Sequence, residues 1–372
     1  MRIALVVPGG VDRSGEYRVI PAVLALIARL SLRHDVQVFA LNQEERSGEW
    51  DLAGARIRNI GVGHTVLRAV RSIRAQHRLV PFDIVHAIWS GWPGLIAVVS
   101  GKILGIPSVI HIAGGELVSI RDIAYGGALT WRGRVREALT LRAASALTAA
   151  SAPVIEALSR RGLSALRVPL GVDLTTWPPR DPVRRDLLRP ARLIHVASLN
   201  RVKDQPTLLR ALASLVRSGV SFEMDIVGDD TLHGEVQALT VTLGLSDRVR
   251  FRGFLPQREL RPLIEAADLM LLSSRHETGP LAMLEAAVAG VPTAGTAVGH
   301  LHEWSPHAAV SVPVGDWARL AQAIEGMLDD EELRLRIARE ALRRAVREDA
   351  DYTADRIQAL YGSLIKSRRP RP

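Results

Sequence analysis

Between Leu271 and Glu303 the chain reads LLSSRHETGPLAMLEAAVAGVPTAGTAVGHLHE, and this stretch restricts the fold more than any other. An apolar run of strand length, Asp268-Leu269-Met270-Leu271-Leu272, gives way to a polar loop from Ser273 to Thr278. Gly279 then precedes Pro280, a residue favoured at the first helical position because its missing N–H is not needed there. The spacing predicts a helix from Pro280 to about Ala289, stopped by Gly290, with Pro292 just beyond. Strand, loop, helix and strand in succession are the parts of a parallel α/β sheet.

This arrangement has chemical content. Open α/β sheets bind ligands where the carboxyl end of a strand meets the next helix. The first helical N–H groups have no intrahelical acceptor and carry partial positive charge, which suits a phosphate. Glu277 lies in the loop before the helix and Glu285 in its second turn. Eight steps at the helical rise amount to roughly 12 Å, about the reach of a sugar nucleotide from hexose to ribose. Each carboxylate can accept hydrogen bonds from hydroxyl groups of such a ligand.

Glu277, seven residues, Glu285, then Ala286, Ala289-Gly290-Val291-Pro292, Gly299 and Glu303 resembles the donor site of the retaining glycosyltransferases called family 4. The Glu-to-Glu spacing alone is weakly specific; its combination with the trailing motifs is strongly so. The resemblance implies an α/β architecture of the GT-B type, two Rossmann-like domains facing a central cleft. It implies a nucleotide diphosphate sugar as co-substrate, no cofactor, no metal, and a saccharide, lipid-linked or small-molecule acceptor. Glu277 would orient the sugar, Glu285 would bind the ribose, and Lys203 with the turn Gly279-Pro280-Leu281 and its amides would face the diphosphate. The family has a Gly-Arg-Leu run before the Lys; here Ser198 holds the Arg position, and Arg201 is the candidate to supply the missing charge. Phe254 falls at the turn where relatives place the nucleobase, and Gly15 in a loop that relatives bring to the donor diphosphate. A histidine usually precedes the glycine of the Ala113-Gly114-Gly115-Glu116 loop; here it is Ala113, and His111 points to the same strand face. Two other readings stay open on the same residues: a nucleotide-sugar epimerase, and a non-catalytic relative that binds nucleotide sugar.

Length and composition set the bounds. A chain of 372 residues suggests two domains. It has no cysteine, which excludes disulfides and thiolate metal sites and allows a cytoplasmic location. The N-terminal apolar run is too short for a signal peptide, and the segment from Leu95 to Ile106 is too short to span a bilayer. A net charge of +9 suits anionic partners. Nucleic acid is disfavoured, since only 4% of residues are aromatic and no binding motif occurs.

Taken in order, the chain predicts a strand at Arg2–Val7, a glycine loop, a helix over 18–33 and a strand over 36–40. From His64 to Leu79, Arg68, Arg71, Arg74 and Arg78 recur at helical spacing beside a stripe of Leu67, Val70 and Ile73. With a second cluster at Arg132, Arg134, Arg136 and Arg142, this raises weak association of the N-terminal half with an anionic membrane surface. Strands are expected at 83–87, 108–112 and 145–149, and a linker at roughly 170–188. The first domain would cover 1–170 and the second 188–350. In the second domain the expected strands lie at 192–197, 223–227, 249–251 and 268–272, with Asp204 capping the helix Gln205 to Val216. Asp229-Asp230 supplies too few ligands for a metal. A last helix, within 351–372, would cross back to the first domain, followed by a disordered basic tail from Lys366.

Overall fold

The computed structural model describes residues 1–63 and 65–368. They form two compact units, Met1–Asp173 with the chain from Asp349 onward, and Leu174–Glu348. His64 and residues 369–372, which the sequence places in a helix and a disordered tail, lie outside the described residues.

The first unit runs β1 (Arg2–Val7), α1 (Pro21–Ser31), β2 (Asp35–Ala40), β3 (Gly48–Leu52), β4 (Ala55–Asn59), α2 (Thr65–Leu79), β5 (Ile84–Ile88), α3 (Leu95–Leu104), β6 (Ser108–Ile112), α4 (Trp131–Ala143), β7 (Ala146–Ala149), α5 (Ala152–Ser159) and β8 (Leu166–Arg167). Its sheet has the order β3-β4-β2-β1-β5-β6-β7-β8. Every neighbouring pair is parallel except β3 with β4. β1 is buried at all its positions, as a central strand covered on both faces must be, which is why its sequence is a continuous apolar run.

Three expectations for this unit need correction. The helix expected from Arg18 begins at Pro21. Arg18 has a positive φ of 50°, and Val11 pairs with Val19 in an antiparallel bridge, so the preceding loop folds back on itself first. The β3–β4 hairpin was not anticipated; its turn has positive φ at both Ala53 and Gly54, the geometry that suits tight hairpins. On α2 the core-facing residues are Val66, Ala69, Val70 and Ile73, and Leu67 is exposed.

The second unit runs β9 (Ala191–Val196), α6 (Gln205–Arg217), β10 (Phe222–Val227), α7 (Glu235–Thr242), β11 (Val249–Gly253), α8 (Gln257–Glu265), β12 (Leu269–Leu272), α9 (Leu281–Val288), β13 (Thr293–Thr296), α10 (Gly299–Trp304), β14 (Val310–Val312), α11 (Trp317–Asp329) and α12 (Glu331–Arg347). Its six parallel strands have the order β11-β10-β9-β12-β13-β14. Leu208, Leu209, Leu212 and Leu215 on α6 recur at three- and four-residue spacing and all are buried. Each such side chain contributes about 1.5–3 kcal/mol of burial. The strand order reverses between β9 and β12, so the loops leaving these two strands diverge and leave a crevice at their carboxyl ends.

Much of the expected linker is packed onto this unit. The Arg180 N–H donates to Val288 O at 2.9 Å, and the Arg185 N–H to Glu331 Oε1 at 2.8 Å. The last helix, α13 (Ala350–Arg368), belongs to the first unit. Arg29 of α1 bonds Asp351 at 2.6 Å and Asp173 at 2.9 Å, and Tyr361 is buried with its hydroxyl 2.6 Å from His86 Nδ1. Lys366, Ser367 and Arg368, read from the sequence as disordered tail, continue this helix.

Candidate functional site

The crevice between β9 and β12 is lined by the two loops that carry the sequence candidates. After β9, Lys203 stands just ahead of α6. After β12, Glu277 stands just ahead of α9. Their side chains meet, with Lys203 Nζ 2.5 Å from Glu277 Oε1. The same oxygen accepts from Ser274 Oγ at 2.6 Å. The two loops are also tied by backbone: Ser273 Oγ donates to Lys203 O at 2.8 Å, and the Arg275 N–H to Val202 O at 2.7 Å. Thr296 of β13 holds Ser274 O at 2.6 Å. Lys203 and Glu277 are therefore held by bonds from three consecutive loop residues, not by their own side chains alone.

Gly299 explains why the trailing glycine belongs to this site. Its φ is +48°, and a Cβ built on it would lie 2.8 Å from Thr278 O and 3.1 Å from Glu277 C. The start of α10 thus abuts the backbone that carries Glu277, and only a residue without a side chain fits there.

The N-terminus of α9 has Pro280 in extended conformation as its N-cap, so the helix begins at Leu281, one residue later than expected. Among the described residues the N–H groups of Gly279 and Leu281 donate to no protein acceptor, leaving them available to an anion.

Glu285, in the second turn of α9, differs sharply from Glu277. It is only 3% exposed, and Gln257 Nε2 donates to its Oε1 at 2.9 Å. Gln257 is itself held by Trp177 Nε1 at 2.6 Å. Burial pushes the Glu285 carboxyl up to about 7, with the Gln257 bond opposing.

The remaining donor-side candidates are scattered. Ser198 is exposed, and its carbonyl accepts from Gln205 Nε2 at 3.2 Å. Arg201, the candidate for the missing cation, is turned to Glu235, bonding both carboxylate oxygens at 3.0 and 3.1 Å. Phe254 is exposed just after β11. Asp204 occupies the position before α6 and accepts from Thr207 Oγ1 at 2.7 Å. Asp230 closes the turn after β10, accepting from the N–H groups of Leu232 and Gly234.

Sequence reasoning missed His195 and Gln205. His195, on β9, is fully buried; its Nδ1 lies 2.8 Å from Leu271 O, and Gln205 Nε2 lies 3.3 Å from its Nε2. The carbonyl fixes the proton on Nδ1, so Nε2 accepts from Gln205. Burial holds this imidazole down to about 4, so it stays neutral. It joins β9, β12 and the start of α6 beneath the Lys203 loop. A lone strand histidine carries no sequence signal for that role.

In the first unit, the strand order reverses between β1 and β5. Gly15 closes a tight turn after β1, donating to Asp12 O at 3.0 Å with φ +69°, and lies well ahead of α1. His111 is a correction. It is fully buried, its Nδ1 lies 2.9 Å from Thr148 Oγ1, and burial lowers it to about 4. It is a core histidine, and no catalytic role is carried forward for it. What the sequence did not reveal is a pair of buried acids, one in the loop after β6 and one on α4. Glu116 accepts from the Ser90 N–H at 3.1 Å and the Gly114 N–H at 2.7 Å, clamping the loops after β5 and β6. Ser90 Oγ bonds Glu137 of α4. Burial raises both acids, and Glu137, with Glu116 nearby, reaches about 7.

Comparison with known proteins agrees with this division. Residues 184–344 match the family model described as glycosyl transferases group 1, and residues 19–171 match a glycosyl transferase 4-like domain. A glycogen synthase of Mycobacterium tuberculosis is 30% identical over 309 residues, covering 79% of this chain and 72% of that protein. D-inositol 3-phosphate glycosyltransferase 1 of Catenulispora acidiphila is 32% identical over 221 residues, covering 54% of this chain and 52% of that protein. The chain thus spans only about half the length of that relative. The solved sucrose-phosphate synthase of Thermosynechococcus elongatus superposes with a TM-score of 0.82 at 20% identity, over 99% of this chain and 100% of that one. The fold is GT-B, two Rossmann-like units each built on a parallel sheet.

Proposed function

Because the chain belongs to the group 1 glycosyltransferases, we propose that it moves a hexosyl-type sugar from a nucleotide diphosphate sugar to a saccharide, lipid-linked or small-molecule acceptor, with retention of configuration. The observation that carries this reading is the Lys203–Glu277 pair at the reversal of the second sheet, beside the start of α9. The sugar–phosphate junction of a donor needs a cation and a hydroxyl acceptor side by side, and this pair offers both.

The roles follow from chemistry. Glu277 accepts from sugar hydroxyls and sets the ring. Lys203 and the amides of Gly279 and Leu281 stabilise the charge that grows on the β-phosphate as its bond to the anomeric carbon breaks. With this positive charge supplied by the protein, the step needs neither metal nor cofactor. In this reading the acceptor oxygen attacks the anomeric carbon on the face the phosphate leaves, and its proton passes to a departing phosphate oxygen. Glu285 takes the ribose hydroxyls in exchange for Gln257.

Calorimetry with the nucleotide diphosphate, together with turnover assays, tests the assignment. Glu285→Ala is expected to weaken nucleotide binding, and Glu277→Ala mainly to lower turnover. Unchanged binding and turnover in both variants would refute it. No helix among the described residues is long and apolar enough to cross a membrane. The basic N-terminal half supports a weak peripheral association with an anionic membrane surface.

A further inference from the structure

Helix α4 carries a face that the core of the first unit does not use. Trp131, Val135 and Leu139 recur every fourth residue and so share one side of the helix. Trp131 and Leu139 are each 64% exposed, and Val135 is exposed between them. The opposite side, Gly133, Glu137, Thr140 and Leu141, is buried. At about 100° per residue, Arg132 and Arg134 fall on either flank of the apolar stripe, and both are exposed. Glu137 is the only acid on the helix and is buried, so α4 itself adds no negative charge to the exposed side. Trp92, exposed in the turn before α3, widens the apolar area; the Arg136 guanidinium carbon lies 4.3 Å from its ring centre.

We propose that this face of α4 is the surface that seats the first unit on a bilayer containing anionic lipid. Resting on the peripheral association proposed above, this assigns it to a helix and a chemistry. Tryptophan and leucine enter the boundary between headgroups and acyl chains, while arginines on both flanks bind phosphate headgroups. A helix of 13 residues presents about 20 Å of such contact. The basic helix α2 meets only half of the requirement. Its Arg68, Arg71, Arg74 and Arg78 are exposed, but Ala69 and Ile73 are buried in the core, leaving charge without a continuous apolar stripe.

The test is co-sedimentation of the full chain with vesicles of equal parts phosphatidylglycerol and phosphatidylcholine. The wild type is expected to bind at low salt, and binding to pure phosphatidylcholine to be weak. Trp131→Ser with Leu139→Ser should lower the partition coefficient on the order of tenfold or more. Arg132→Ser with Arg134→Ser should lower it at low salt only, by about fivefold per arginine removed. Arg71→Ser with Arg74→Ser on α2 should lower it less than either. All these positions are exposed, and an unchanged melting temperature checks the fold. Absence of wild-type binding overturns both this assignment and the peripheral reading. Full binding by the α4 variants, with loss in the α2 variant, overturns the assignment alone. A concentration-dependent dimer that Trp131→Ser with Leu139→Ser abolishes, without vesicle binding, would make a second copy the occupant and also overturn it. Nucleotide-sugar binding in solution is measured separately, so failure of the transfer reading is visible apart from these outcomes.

Discussion

The two sheets reverse strand order in the same manner, between β1 and β5 in one and between β9 and β12 in the other. Their reversal points hold different chemistry. At the second, a lysine and a glutamate from diverging loops meet in a partly open pair. Around the first, the loops after β5 and β6 are bound to each other through buried Glu116 and to α4 through Glu137. Topology opens a crevice at both places, but the charged groups differ in access: the Lys203–Glu277 pair stays partly exposed, whereas Glu116 and Glu137 are buried. This comparison suggests that charge recognition is concentrated in the second unit, and the following experiments are arranged to break or sharpen it.

The largest effect is expected from Lys203→Ala. Removing a preorganised charge from the departing phosphate should cut turnover about 10²–10³-fold. Glu116→Gln in the first unit keeps the side chain's size but leaves one of the two backbone N–H groups of Ser90 and Gly114 without its acceptor, and it should change turnover less than about tenfold. Steady-state kinetics at saturating donor compares them. Equal losses in the two variants would erase the distinction between the crevices.

Gly299→Ala should come next. Its Cβ would press on Thr278 O at 2.8 Å from a backbone with positive φ, at a cost of about 2 kcal/mol in stability. Because the displaced segment carries Glu277, turnover should fall as well. Chemical denaturation and kinetics on the same variant check both, and a stability loss with intact turnover would show that Gly299 serves packing alone.

These two residues also show how legible the chain was. The Lys203 loop, the Glu277 loop and Gly299 stood out because each lies at a strand end, where turn-forming residues and helix-start signals are local in sequence. The α/β alternation followed from apolar runs and helical stripes, and the GT-B architecture from the resemblance that the Glu277–Glu303 motifs carry. What escaped was non-local. Gln257 reaches Glu285 across 28 positions and Ser90 reaches Glu137 across 47, and no periodicity encodes such pairs. His111 misled for a related reason: strand alternation gave its face correctly but not the α13 residues that the fold packs over this part of the sheet, where Tyr361 meets the neighbouring His86.

A third prediction sets the buried acids of the two units side by side. Glu285 and Glu137 each titrate near 7 when folded, above their usual range, because burial penalises the charged form. The folded state therefore holds these protons more tightly than the unfolded chain. Stability is undiminished below about 4.5, falls as pH rises from there to about 7, and levels off once both folded carboxyls are deprotonated. Glutamine in place of Glu285 removes that loss and should stabilise the protein by ~1–3 kcal/mol at pH 8, with little change at pH 4. Glu137→Gln should show the same sign and a similar size, since its carboxyl also reaches about 7 against an opposing bond from Ser90. Only Glu285→Gln should also weaken nucleotide binding. Urea denaturation at both pH values, with nucleotide titration, separates a ligand-binding acid kept at a cost in stability from an acid that only shapes a loop.

The smallest effect concerns Arg201. Its pair with Glu235 is more than half exposed on both sides, 57% and 59%. Such a pair contributes little, so Arg201→Ala should change stability by less than about 0.5 kcal/mol. For the same reason the arginine can leave Glu235 at little cost. If it turns to the diphosphate and replaces the charge that Ser198 lacks, Arg201→Ala should weaken donor affinity by about three- to tenfold, and Glu235→Ala should strengthen it slightly by freeing the guanidinium. Calorimetry with the nucleotide diphosphate on both variants decides this. Unchanged affinity in Arg201→Ala would mean that Lys203 and the α9 amides hold the diphosphate without a second cation, narrowing the charge in this crevice to one side chain.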